Sequence, residues 1–251
     1  MSKETVFMKD CIPQFHPTLS NDKLGGKKFN IMGISYVPGN TFFYLKDGTL
    51  VSDCPGTCNN VDCSGCGKRG ICYAIDSYCQ YPAVTVNRVE NTMQLRLNPD
   101  KHFQDIKQSI IDNKINTVRY TESGEIIDYA HFERIINLCN DLKSVNFYLY
   151  TKNYKVLYTY FSKYADLPEN LVILISIWKN TGVKEYNDFK NHKNIKAFVV
   201  NNPDIKVQAM CPAYKEINGK VVRIKTDNVK CGNCGLCTAK SNCKVIGCIE
   251  H

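Results

Sequence analysis

The sequence predicts an α/β protein on a parallel sheet, open or curled into a partial barrel, with one Cys-rich loop ahead of it and a Cys-rich tail behind. Short β-rich runs recur through the middle of the chain, and segments with apolar residues at helical spacing lie between them. Twelve of the fourteen cysteines fall in two stretches that flank this alternation. The order of these features divides the chain into an N-terminal segment (1–53), a core with the front cysteines (54–210) and a Cys-rich extension (211–251).

Within 28–46 the residues suit a strand or hairpin, with turns at Pro38-Gly39 and Asp47-Gly48. The runs 116–123, 145–151, 171–178, 195–201 and 205–210 read as strands. Helices are expected at 102–114, with Phe103, Ile106, Ile110 and Ile111 on one face, and at 128–143, with Phe132, Ile135, Ile136, Cys139 and Leu142 inward. Strand starts roughly 10–30 residues apart leave room for the helical crossovers that parallel strands need. In such sheets functional groups gather at the strands' carboxyl ends, which singles out 122–125, 151–153, 178–180 and 201–202.

At 251 residues the chain is long enough to bury a full core, and its balance of 43% hydrophobic to 22% charged residues excludes a disordered or fibrous protein. No apolar run is long enough to span a membrane, and the N-terminus lacks a secretory h-region, so a cytoplasmic protein with no membrane partner is expected. In that reducing compartment closely spaced cysteines are metal ligands rather than disulfides. The formal charge of +8 admits nucleic acid as a partner without requiring it.

The tail carries the sharpest signal. Cys231, Cys234 and Cys237 stand at two-residue spacings, with Cys211 as a remote fourth thiolate and Cys243 and Cys248 as further candidates. Such short turns bring thiolates onto an iron–sulfur cluster or a zinc ion, and four cysteines suit both. Between 212 and 245 seven Lys or Arg face two acids, a bias that balances thiolate charge and also suits an anionic substrate. The front stretch holds Cys54, Cys58, Cys63, Cys66, Cys72 and Cys79, more than one cluster needs. Cys139 belongs to the core, and the histidines at 16, 102, 131 and 192 show no ligand spacing.

The segments CPGTC, ICYA, RYTESGEIIDYAHF, FYLYTKN, CPAYKE and CGNCGLC resemble the phage gene product 88 family from about residue 24 onward. More broadly, the core is similar to radical S-adenosylmethionine enzymes, in which three cysteines precede a partial barrel. That likeness implies a 4Fe-4S cluster with one open iron on Cys54, Cys58 and Cys72. It implies S-adenosyl-L-methionine bound beside Ser123, Gly124, Glu125 and Asn153, with Glu125, Thr151 and Lys152 as catalytic candidates. A second, auxiliary cluster would occupy the tail, and the electron donor would be a flavodoxin or ferredoxin. The chain departs from that family in lacking Cys-x-x-x-Cys-x-x-Cys. The expectation is therefore an iron–sulfur enzyme of unknown substrate; the alternative is a zinc-stapled, basic, nucleic-acid-binding phage protein.

Overall fold

The computed structural model describes residues 12–38, 42–44, 50–52, 74, 77, 80–178 and 181–249. Its centre is a seven-stranded sheet in which every pair is parallel. The strands are β1 (Ile31–Ser35), β4 (Thr117–Ser123), β5 (Asn146–Thr151), β6 (Leu171–Trp178), β7 (Ile195–Val200), β11 (Val245–Cys248) and β8 (Ala209–Met210), in that spatial order. A hairpin, β2 (Phe42–Tyr44) with β3 (Leu50–Ser52), stands apart, as does a second one, β9 (Tyr214–Ile217) with β10 (Lys220–Arg223). The helices are α1 (Pro82–Leu97), α2 (Pro99–Asp112), α3 (Tyr129–Asp141), α4 (Tyr154–Phe161), α5 (Val183–Phe189) and the single turn α6 (Cys231–Cys234).

From β1 to β7 each crossover moves one place in the same direction. Right-handed crossovers that never reverse put every connecting helix on the same face of the sheet. The side chains agree. Met32, Ile34, Val118, Tyr120, Phe147, Leu149, Ile173 and Ile175 pack with Ile106, Phe132, Val156 and Phe189 of the helices in one core. The alternate residues, Tyr148, Val172, Leu174 and Ile246, form a smaller cluster on the opposite face, covered by Leu236, Cys237 and Cys243 of the tail.

The expected α/β protein on a parallel sheet is present, its seven strands in an order that does not close into a barrel. The strand order departs from chain order at the far edge. The chain leaves β7, lays down β8 one place too far, and returns from the tail to insert β11 between them. The segment expected as a strand over 205–210 pairs only at Ala209–Met210, because Gln208 turns its side-chain carbonyl to the backbone N–H groups of Lys244 and Val245. Both flanking segments enter the sheet, β1 from the N-terminal segment and β11 from the tail.

On α2 the inward face is His102, Ile106 and Ile110, with Phe103 partly buried; Ile111 is 53% exposed. The helix starts at Pro99, capped by the Asn98 side chain on the Lys101 N–H, and the 3.6-residue period then carries Ile111 outward. Asp128 caps α3 in the same way on the His131 N–H. Cys139 is fully buried, as expected for a core residue. Among the described residues no helix is long and apolar enough to cross a membrane.

Candidate metal and ligand cavity

The face without helices needs another cover, and the tail provides it. Between sheet and tail lies a cavity of about 160 Å³. Its floor is Tyr148, Tyr150, Trp178 and Phe198. Its walls are Cys211, Cys231, Cys234, Cys237 and Cys248, and Lys23, Arg119 and Lys152 also line it.

Local backbone features set this up. Thr121 takes φ 51°, a bulge at which the β1–β4 register shifts between Gly33 and Ser35. Its Oγ1 donates to the Tyr150 carbonyl at 3.1 Å, tying the bulge to β5. With two extra residues on β4 at the shift, Arg119 lines the cavity, where its guanidinium lies 4.9 Å from the Tyr150 ring centroid. The Glu122 carboxylate takes the Asn21 amide. The turn α6 is hung on the N-terminal segment: Cys231 N–H donates to the Lys23 carbonyl at 3.1 Å and Gly232 N–H to that of Leu24 at 3.2 Å. After it, Gly235 with φ 66° reverses the chain and brings Cys237 over the sheet.

Lys196 clamps the loop. It is 3% exposed, and its ammonium donates to the carbonyls of Leu236 (2.8 Å), Thr238 (2.7 Å) and Ser241 (2.7 Å). The Tyr150 hydroxyl donates to Cys237 Sγ at 3.0 Å. Cys211 follows β8 and Cys248 ends the neighbouring β11, where its thiol donates to the Ile249 carbonyl at 3.4 Å. The neighbouring Cys248, with Lys23 and Arg119 nearby, pulls the Cys211 pKa down to about 6 against the effect of burial. Burial pushes Cys237 up to about 12 and raises Cys231 and Cys234, while the neighbouring Cys211 raises Cys248. Thiolate character is thus favoured at Cys211 over the other cavity cysteines, from which a metal would displace protons.

Among the described residues no three His, Cys, Asp or Glu are drawn together tightly enough to hold a single ion. The thiols stand around a space instead. Cys243 lies off the cavity, with its thiol directed to the Val245 carbonyl at 3.5 Å. The front candidates Cys54, Cys58, Cys63, Cys66, Cys72 and Cys79 lie outside the described residues.

The remaining candidates come together in one buried knot at the carboxyl ends of β1, β4 and β5. Ser123 Oγ donates to the Tyr36 carbonyl at 2.9 Å, and Gly124, with φ 80°, leaves no room for a Cβ against Tyr36. Glu125, 7% exposed, accepts from the Ile126 N–H (2.8 Å), Thr151 Oγ1 (2.7 Å) and the Lys152 N–H (2.7 Å). Asn153 donates its amide to the Ile126 carbonyl at 2.8 Å. Of these residues only Lys152 also lines the thiol cavity.

Sequence reasoning passed over Lys23 and Lys196. The i, i+2 spacing of Tyr148 and Tyr150 puts both on one side of β5. Trp178, in the carboxyl-end segment 178–180, lines the cavity, and its indole N–H has no hydrogen-bond partner among the described residues.

The family model described as gene product 88 matches residues 15–244, and the chain belongs to that family. No curated protein and no solved structure matches it.

Proposed function

We propose that this gene product 88 family chain is an iron–sulfur protein whose tail thiols hold a cluster in the cavity on the helix-free face. The observation that carries this reading is five cysteines lining one cavity that Lys23 and Arg119 also line. A single zinc ion binds its thiolates at about 2.3 Å and so needs them packed against one another. Thiols arranged around a space suit a polynuclear centre better. Cys231, Cys234, Cys237 and Cys211 would hold it, with Cys248 lining the same cavity.

A bound cluster supplies one-electron chemistry. The chain's own part is to set its surroundings. Arg119 and Lys23 offset thiolate charge, the Tyr150 hydroxyl stabilises the Cys237 sulfur, and the aromatic floor keeps water out.

The finer reading is an enzyme resembling radical S-adenosylmethionine enzymes, with an open-iron cluster on the front cysteines. The one-directional winding from β1 to β7 supports it, since that is how a partial barrel is wound. So does the gathering of Ser123, Gly124, Glu125, Thr151 and Asn153 at the carboxyl ends of two neighbouring strands. Glu125 already accepts from Ile126 N–H, Thr151 Oγ1 and Lys152 N–H, so its part there is to fix the loop.

The test is iron, acid-labile sulfide and zinc content after anaerobic purification. One 4Fe-4S cluster gives about four irons and as many sulfides per chain, two give about eight, and Cys231→Ala with Cys234→Ala removes about four of each. Zinc without sulfide would sink the reading and leave the zinc-stapled binding protein in its place.

A further inference from the structure

The β9–β10 ribbon takes no part in the cavity chemistry, yet it springs from the cavity wall. It follows Cys211 and Pro212, and the chain returns to the cavity at Val229. Its register assigns the two faces. Lys220 pairs with Ile217 and Val222 with Lys215, so these four side chains share one face; Val221 with Glu216 and Arg223 with Tyr214 share the other.

The second face is the anchored one. Lys23 Nζ sits 4.8 Å from the Tyr214 ring centroid, and Arg223 pairs with Asp22 at 3.2 Å. The first face is unpartnered. Ile217 and Val222 are 48% and 39% exposed, and Lys215 and Lys220 are exposed with no ion pair among the described residues. It carries two cations and no acid, and Lys225 adds a third exposed cation at the ribbon's foot.

We propose that the Lys215, Ile217, Lys220 and Val222 face of this ribbon binds the phosphate backbone of a nucleic acid. Charge complementarity selects the occupant: an acid-free cationic face on a chain of net charge +8 favours a polyanion. A two-stranded ribbon also has the dimensions of a nucleic-acid groove. The proposal stands whichever metal the cysteines take.

The test is fluorescence anisotropy of the purified full chain with labelled mixed-sequence oligonucleotides, single-stranded and duplex, across a salt series. The wild type binds at low salt. Lys215→Glu with Lys220→Glu weakens binding at least about tenfold and lowers the duplex salt slope by about 2, roughly 0.9 per lost phosphate contact. Lys143→Glu with Lys155→Glu changes the net charge equally on the helix-covered side and leaves affinity within about twofold. Lys215→Ala with Lys220→Ala, a milder change, gives the same ranking if charge reversal disturbs the hairpin. No binding by the wild type, equal loss in the control pair, or retained binding in both ribbon variants would overturn the proposal. So would ribbon-dependent binding to phosphatidylserine vesicles with none to oligonucleotides, which would mark a membrane surface instead.

Discussion

Lys196 interrupts the apolar run of β7 and points its ammonium at three carbonyls 40 to 45 residues later. Burial lowers its pKa, and the nearby Cys237 and Cys243 oppose that shift. Lys196→Met keeps the volume but strands three buried acceptors, which should cost about 3 kcal/mol in urea unfolding. An unchanged midpoint would mean the loop is held by something else. On the other face His102 and His131 belong to a chain of buried hydrogen bonds: Gln94 to His102 at 2.8 Å, His102 to Tyr36 at 2.9 Å, Tyr36 to Tyr120 at 2.7 Å, and Tyr120 to His131 at 3.0 Å. Burial holds both imidazoles neutral, with pKa values down at about 3. Above pH 6.5 neither the folded nor the unfolded chain protonates them. Between about 6.5 and 3 only the unfolded chain takes up the protons, so stability falls with pH by up to about 1.4 kcal/mol per pH unit for each histidine. His102→Gln should remove one of the two contributions, so its difference from wild type should narrow as pH falls from 7 to 4.5. A constant difference would refute the buried-neutral assignment. An inward lysine was legible in IKAFVV as an anomaly, but its partners were not, because loop carbonyls have no sequence signature. The histidines were legible only as scattered.

At the scale of elements the tail turn is the most constrained piece. A methyl group on Gly232 would overlap Cβ and Cγ of Phe29, while both backbone N–H groups at Cys231 and Gly232 are committed to the N-terminal segment. Gly232→Ala should therefore lift the turn, destabilise the fold by about 2 kcal/mol and reduce metal content. Gly219→Ala is the comparison: with φ 72° but nothing within 4 Å of its Cβ, it meets backbone strain alone, about 1 kcal/mol, and should keep its metal. Equal metal content in the two variants would detach the cysteine turn from its Phe29 seat. Elements with strong periodicity, β4 to β7 and α3, were readable because one face of each meets a continuous core. The β9–β10 hairpin carried its own signal in Asn218-Gly219, both at positive φ, yet was overlooked beside the cysteines. The four residues of β11 were hidden for a different reason: VIGC is too short to announce a strand and pairs only with partners far away in the chain.

For the molecule as a whole, the alternation of strands and helices was enough to expect a parallel sheet, and it located the carboxyl-end residues that meet at Glu125. It could not reveal which face lacks helices or that the tail closes that face, because both follow from the order in which strands are laid down. The same order has a mechanical consequence. Strand β8 touches the sheet through β11, paired at Ile246 with Ala209 and Gly247 with Met210, and β11 in turn holds four residues of β7. Gly247 fits closely against Val207 and Met210, so the two strands move as one unit. If the cysteines bind metal, its loss should free the tail, and β11 cannot leave without orphaning β8. Hydrogen–deuterium exchange on Cys231→Ala with Cys234→Ala tests this. Amides in 245–248 and 209–211 should lose protection together and at one rate, while β4, β5 and β6, sealed from the other side by α2, α3 and α4, stay protected. Protection that survives in 209–211 after it is lost in 245–248 would show that β8 has a support of its own. Loss that spreads evenly across β4 to β6 would show instead that the tail is part of the global core, and that metal binding and folding are a single transition.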